Sequence, residues 1–266
     1  MHALIDNDMV ETIRSTGKTR GSLPDRVPIL QPYDLWYDRP ADNVVITGCE
    51  ILSVLPDVLS VLARLFDRAG FSYTFLSKEY CCGNYLYRPA IKARDESASA
   101  ECRKLSKEFV TMNVEQAEAL GASRLIIFCS PCYPIYRHAF PDKEVLFYPA
   151  ALNEILKPIP FHKEIDYYPG CYKLHRKFAR VPMDLESTQQ VFSKMEGLRV
   201  NRISAPQCCF TPEGLSHMVG SIRTSLLVHI CTGCYLQAVR HLPQGSDTSV
   251  VMLPALIQMA QAGNTP

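Results

Sequence analysis

The sequence predicts an α/β protein: two consecutive strand–helix–strand units with mainly parallel sheets, preceded by an irregular N-terminal arm. Two observations lead there. Short apolar runs alternate with stretches of helical spacing in both halves, and in both halves the cysteines fall in one order: one alone, an adjacent pair, then Cys-x-x-Cys. The first set is Cys49, Cys81-Cys82 and Cys129-Ser-Pro-Cys132; the second is Cys171, Cys208-Cys209 and Cys231-Thr-Gly-Cys234. Only Cys102 stands outside them. The chain therefore reads as an internal duplication, with an arm over residues 1–42, a first unit over 43–160 and a second over 161–266.

The arm mixes charge and proline (Ser22-Leu-Pro24, Arg26-Val-Pro28, Gln31-Pro32, Arg39-Pro40) without sustained periodicity. Its aromatic cluster, Tyr33, Leu35, Trp36 and Tyr37, suits either packing on the chain's own core or a partner's surface. From Asn43 the pattern becomes regular. Val44-Val-Ile46 reads as a buried strand ending at Gly48-Cys49, and Val54, Val58, Val61, Leu62 and Leu65 carry helical spacing up to Gly70. Phe71–Leu76 is the next strand, Cys81-Cys82-Gly83 lies in a turn, and Glu101–Leu120 is an amphipathic helix stopped by Gly121. Leu125–Phe128 is a strand delivering Cys129, and Pro134 suits the first turn of the helix that follows.

The second half repeats this order. Asp166-Tyr-Tyr168 leads to Pro169-Gly170-Cys171, a helix is expected from about Leu185 to Met195, and Leu226–Ile230 is a strand delivering Cys231. Ligand sites in parallel sheets gather at the carboxyl ends of strands, where Cys49, Cys129, Cys171 and Cys231 all fall.

Composition narrows the class. A chain of 266 residues with 47% hydrophobic content can bury one large core or two modest ones. The formal net charge of +1 gives no electrostatic case for a nucleic-acid partner. Phosphate-loop and Gly-x-Gly-x-x-Gly sequences are absent, which argues against the chain binding a nucleotide of its own. The first residues lack a basic and apolar leader, and charges or prolines interrupt every apolar run. The expected location is cytoplasmic, with any membrane association through partners.

A Cys-x-x-Cys pair at a strand end directs two thiolates at one centre, and adjacent cysteines are poorly placed to bridge each other but well placed to ligate neighbouring irons. Five thiolates exceed the four that close a structural zinc tetrahedron. The arithmetic favours a multinuclear iron–sulfur site over a zinc or disulfide scaffold. Spacing within the sets then diverges: 46 residues separate Cys82 from Cys129, but 21 separate Cys209 from Cys231.

From about Val44 to the C-terminus this register resembles the tandem cysteine-rich CCG domains in the B subunit of heterodisulfide reductase. The resemblance implies two pseudo-symmetric Rossmann-like CCG domains, each holding a noncubane [4Fe-4S] cluster through five cysteines, with both clusters facing one substrate. Carried across, one cluster falls to Cys49, Cys81, Cys82, Cys129 and Cys132, the other to Cys171, Cys208, Cys209, Cys231 and Cys234. The implied activity is reductive cleavage of a disulfide of small thiols such as CoM-S-S-CoB. The sequence has no ferredoxin-type Cys-x-x-Cys-x-x-Cys run. The implied partners are therefore a ferredoxin-like homologue of that enzyme's C subunit, with cubane [4Fe-4S] clusters, and a flavin-bearing homologue of its A subunit. Two features depart from the family. Phe210 follows Cys208-Cys209 where the family has glycine, and the loop onward to Cys231 is short. These departures keep two other functions in view: a sulfur-oxidising relative acting on lipoate-bound or sulfane sulfur, and a non-catalytic protein passing electrons to a quinone or another protein.

No separate acid or base is assigned. Lys173, His175 and Arg176, just after Cys171, are candidates for binding an anionic substrate group, set against a solvated surface. His229 in its apolar strand is expected to be a satisfied core histidine. Cys102, on a helix face with Leu105, Phe109 and Met112, is expected to be a packed thiol. Tyr133, Tyr136, Tyr148, Tyr167 and Tyr168 suit core filling and the shielding of a cluster equally well.

Overall fold

The computed structural model describes residues 2–172, 175–243 and 245–263, with residues 175 and 176 described by their backbone alone. The chain divides into two compact units, Met1–Tyr148 with Leu174–Met183, and Pro149–Lys173 with Asp184–Pro266. Lys173 lies outside the described residues, and so do the side chains of His175 and Arg176.

In the first unit, strands β1 (Asn43–Ile46), β2 (Tyr73–Thr74), β3 (Arg124–Ile127) and β4 (Glu144–Phe147) form one parallel sheet in the order β2-β1-β3-β4. The second unit repeats that plan. Its strands β5 (Glu164–Tyr168), β6 (Arg199–Arg202), β7 (Leu226–His229) and β8 (Ser249–Met252) run in the order β6-β5-β7-β8, again all parallel. In each unit the chain starts on an inner strand, lays the next on one side, then crosses back to lay the third on the other. That reversal makes a switch point between β1 and β3, and another between β5 and β7, where the outgoing loops diverge and leave a crevice. The expected α/β fold with parallel sheets is the fold observed.

The strands beside these switch points are largely apolar because both faces of such a sheet are covered, with Asp166 on β5 a buried exception that accepts from Arg223 N and Thr224 N. All four residues of β1 and all four of β7 are buried. Helix α1 (Asn7–Thr16) lies in the segment read as irregular. It has only Val10 and Ile13 as buried apolar positions, too few for its period to show in the sequence, but Asp6 caps its first turn and Gly17 closes it at φ 79°. Helix α2 (Pro56–Arg68) buries Val58, Leu59, Leu62, Leu65 and Phe66. The expected stripe holds at Val58, Leu62 and Leu65, whereas Val61 is only half-buried. Val54 is exposed and belongs to a separate turn, Ile51–Val54, because Pro56 has no N–H to continue that turn and starts a new helix instead.

The strand expected over Phe71–Leu76 is shorter, Tyr73–Thr74. Beyond it Phe75 pairs with the N-terminal segment: its N–H donates to Trp36 O at 2.8 Å, and its carbonyl accepts from Asp38 N at 3.0 Å. This segment covers the backbone of what would otherwise be a bare sheet edge. Leu35 packs inward, whereas Trp36 is 45% exposed with the Arg39 guanidinium stacked 3.6 Å above its ring. Helix α3 (Glu96–Ala119) starts earlier than its apolar stripe, because Asp95 accepts from Ala98 N at 2.9 Å and caps it. Among the described residues no helix is long and apolar enough to cross a membrane.

Candidate functional site

Strand register brings the cysteines together. Ile46 pairs with Ile127 across β1 and β3, and Tyr168 pairs with His229 across β5 and β7. In both units the lone cysteine stands three residues past the first partner and the Cys-x-x-Cys begins two residues past the second. Each set therefore opens at the switch point of its own sheet. A glycine precedes the lone cysteine in both, at φ 89° for Gly48 and 93° for Gly170. At Gly48 the reason is also steric: a Cβ there would stand 2.6 Å from Cys129 Cβ and 2.9 Å from its sulfur. Only a residue without a side chain lets the two loops approach so closely.

In the first unit Cys49 Sγ lies 3.3 Å from Cys81 Sγ, and Cys132 Sγ lies 3.2 Å from Cys82 Sγ. Cys129 lies within hydrogen-bonding reach of Cys132. In the second unit Cys209 Sγ and Cys234 Sγ, the counterparts of Cys82 and Cys132, are 3.4 Å apart. Cys81, Cys82, Cys132, Cys209, Cys231 and Cys234 are buried; Cys49, Cys129, Cys171 and Cys208 are partly accessible, and all eleven thiols are free of disulfide bonds.

The thiols compete for one negative charge. Hydrogen bonds from Cys132 and Cys81 hold the Cys82 thiol well below the usual range. Hydrogen bonds to Cys49 and Cys82 push Cys81 well above it, and those to Cys129 and Cys82 do the same to Cys132. In the second unit the Cys208 contact raises Cys209 to about 12, and contacts with Cys209 and Cys231 raise Cys234 well above the ordinary thiol value. Several thiolates cannot coexist in so small a buried volume without a cationic centre among them.

The donor set is all sulfur and larger than one ion needs. Among the described residues no three Cys, His, Asp or Glu side chains converge as ligands of a single metal ion. The sulfurs instead meet in pairs along a connected set. Cys132 opens helix α4 (Cys132–Ala139), and Cys231 caps α8 (Thr232–His241, with α5 Tyr148–Ile155, α6 Glu186–Ser193 and α7 Pro212–Gly220 between). Helix N-termini favour thiolate. Soft thiolates in this number fit an iron–sulfur group.

A buried carboxylate holds the Cys49 loop, and the sequence had not singled it out. Glu79, with a side chain only 1% exposed, accepts from Thr47 N at 2.9 Å, Thr47 Oγ1 at 2.9 Å and Gly48 N at 2.6 Å, and pairs with Arg26 at 3.1 Å. Arg26 in turn donates to Leu76 O at 2.9 Å and Thr47 Oγ1 at 2.9 Å. The adjacent pair is held from two sides. Asn113 on α3 accepts from Tyr80 N and donates to Tyr80 O, both at 2.7 Å, and donates to Tyr136 Oη on α4 at 2.6 Å. Cys81 N donates to Gly17 O at 2.8 Å, and Thr19 Oγ1 lies 3.9 Å from Cys49 Sγ. The N-terminal segment is therefore part of the first site. One-sided polar residues such as Glu79 and Asn113 carry no periodic signal, which is why spacing alone passed over them.

The second site is built on a different turn. Cys208 O accepts from Thr211 N at 2.9 Å, and Thr211 caps α7, so the chain enters a helix directly after the pair. Nine-residue α7 stands where the first unit has 24-residue α3 preceded by a turn over Asn84–Leu86 and a short helix over Tyr87–Ala93, which together account for the short interval. Phe210 is 64% exposed, and its ring edge lies 3.1 Å from where a Cβ on Gly233 would be, inside Cys231-Thr-Gly-Cys234.

Cys102, His229 and the tyrosines belong to the packed interior. Cys102 is fully buried with its sulfur 3.4 Å from Leu86 O, and burial raises it to about 11, as a packed thiol requires. His229 is fully buried and held neutral by burial, with its value lowered to about 3. The expectation that it is satisfied is not met, since neither ring nitrogen makes a hydrogen bond of good geometry; its ring packs edge-on against Tyr168 and Tyr235. Tyr133, Tyr136, Tyr148, Tyr167 and Tyr168 are all core residues, and Tyr168 also feels the charges of Cys234, Cys209, Cys171 and Cys208.

Comparison with known proteins agrees with this geometry. Residues 44–134 match the family model described as CCG, cysteine-rich domain. The chain is 24% identical over 155 residues to the D subunit of dihydromethanophenazine:CoB–CoM heterodisulfide reductase from Methanosarcina barkeri, and equally to that from Methanosarcina acetivorans. Each match covers 53% of this chain and 36% of the relative, so the chain spans about a third of those proteins' length. An Asp/Glu racemase from Yersinia pestis aligns over 84% of this chain and 97% of its own at 11% identity and a TM-score of 0.34, too low to carry an argument. Residues 44–134 thus match a CCG cysteine-rich domain, and the chain is distantly similar to a heterodisulfide reductase subunit.

Proposed function

We propose that the protein is a disulfide-reducing iron–sulfur subunit of the heterodisulfide reductase type, with each half, 43–160 and 161–266, holding one [4Fe-4S] cluster of noncubane form. The holders are Cys49, Cys81, Cys82, Cys129 and Cys132 in the first, and Cys171, Cys208, Cys209, Cys231 and Cys234 in the second. One observation carries the reading: both units repeat the same strand order and the same register of cysteines at a switch point.

Cleavage of a disulfide RSSR′ takes up two electrons and two protons and yields RSH and R′SH. Bound iron–sulfur clusters supply electrons one at a time and offer iron to a thiolate. The chain's own residues prepare the site. Glu79 and Arg26 fix the Cys49 loop, and Asn113 fixes the approach to Cys81 and Cys82. The partly accessible Cys49 and Cys171 give each site a solvent-facing side. The substrate is a disulfide of small thiols, of the CoM-S-S-CoB kind, and the electron donor is a ferredoxin-like protein beside a flavoprotein, in a cytoplasmic complex.

The exposed Phe210 ring against Gly233 favours a second reading. A hydrophobic rim suits a lipoyl arm, and hence a sulfur-oxidising relative that acts on lipoate-bound sulfur.

The test is iron and acid-labile sulfide on protein purified without oxygen, followed by turnover with a reduced artificial donor. About eight irons and eight sulfides per chain, with thiol release from a small disulfide, are expected. Intact clusters without release from any small disulfide would overturn disulfide reduction, and zinc without sulfide would overturn the iron–sulfur reading.

A further inference from the structure

A second site lies in the first unit, away from the thiols. A cavity of about 600 Å³ is bordered by Arg94, Arg103, His138, Lys177 and Arg180, and no cysteine lines it. Its floor is apolar, made by Ile91, Phe178 and Ala179, with Phe178 fully buried against the Tyr87 ring at 5.1 Å. On a chain of net charge +1 this is a local concentration of positive charge. Two acids share the rim, and both are engaged: Asp95 caps α3 and lies 3.4 Å from His2, and Glu96 lies 3.4 Å from Arg103. Among the described residues Arg94, Lys177 and Arg180 have no acidic partner within ion-pair distance.

Two further observations point to an anion. The 24-residue α3 begins at this rim, so the positive end of its backbone dipole adds to the field. A smaller adjoining cavity of about 220 Å³ shares Arg103, His138 and Ala179 and adds Lys104 and Lys107. The Ser106 hydroxyl and the Tyr87 ring also line it.

We propose that this cavity binds a small water-soluble molecule carrying a phosphate or pyrophosphate group. Forked guanidinium groups match the oxygens of such an anion in pairs, which a lysine-only patch does not do. The apolar floor accommodates the organic part, and the volume falls in the range of ordinary small-molecule sites. The site is independent of whether the cysteines hold clusters.

The experiment is calorimetric titration of inorganic pyrophosphate, then ADP, into the full chain at low and at physiological salt. Saturable binding tighter than about 1 mM, weakened at least about ten-fold in the Arg94→Ala/Arg180→Ala variant, is expected. The charge-matched control Lys157→Ala/Lys163→Ala, at exposed positions of the other unit, should leave it unchanged. No saturable binding, equal weakening in both variants, or binding confined to phosphatidic acid vesicles would each overturn the proposal.

Discussion

At the scale of single residues, Glu79 holds the loop that presents Cys49. Its carboxylate satisfies two backbone N–H groups and a hydroxyl of the loop that presents Cys49, while Arg26 balances its charge. Removing one partner of a buried pair leaves the other charge uncompensated. The Glu79→Gln substitution should therefore cost about 3 kcal/mol in urea unfolding and lower the iron retained by the first set. Unchanged stability and unchanged iron would show that the loop holds itself. Cys102 makes the contrast, since it is buried against Leu86 and outside both sets; Cys102→Ala should leave iron content as it is.

At the scale of elements, the site depends on two helices that supply no cysteine to it from their middle turns. Helix α3 reaches the backbone of Tyr80 through Asn113 and continues that bond to Tyr136 on α4. Asn113→Ala would strand a buried N–H, a carbonyl and a phenol, at about 1–3 kcal/mol for each group left unpaired. The expected outcome is a lower thermal midpoint and a disordered Cys81-Cys82 turn, read by loss of iron from the first set alone. A variant with normal iron would place the control of that turn in Gly17 and the preceding segment instead.

At the scale of the whole molecule, the duplication makes the two sets separable. Each set is delivered by its own sheet and its own switch point. Cys82→Ala and Cys209→Ala should each remove about half of the iron and sulfide, about four of each in a chain of two four-iron sites. Loss of all iron from either single variant would argue for one shared centre.

The order of cysteines and the alternation of apolar runs with helical stripes determined the fold class and the duplication, and nominated ten thiols as candidate ligands. Those features are local or periodic, so a linear reading captures them. Tertiary structure decided the rest. Glu79, Arg26 and Asn113 act through bonds that span tens of residues, and nothing in their local spacing marks them. The helix over Asn7–Thr16 has two buried apolar positions, too few to set a period, yet Gly17 at its end meets Cys81. The basic cavity joins Arg94, His138 and Arg180 from separate parts of the chain, where the nearly neutral overall charge concealed it. Periodicity records which face of an element is buried; which polar groups meet across the fold is settled only when distant segments pack together.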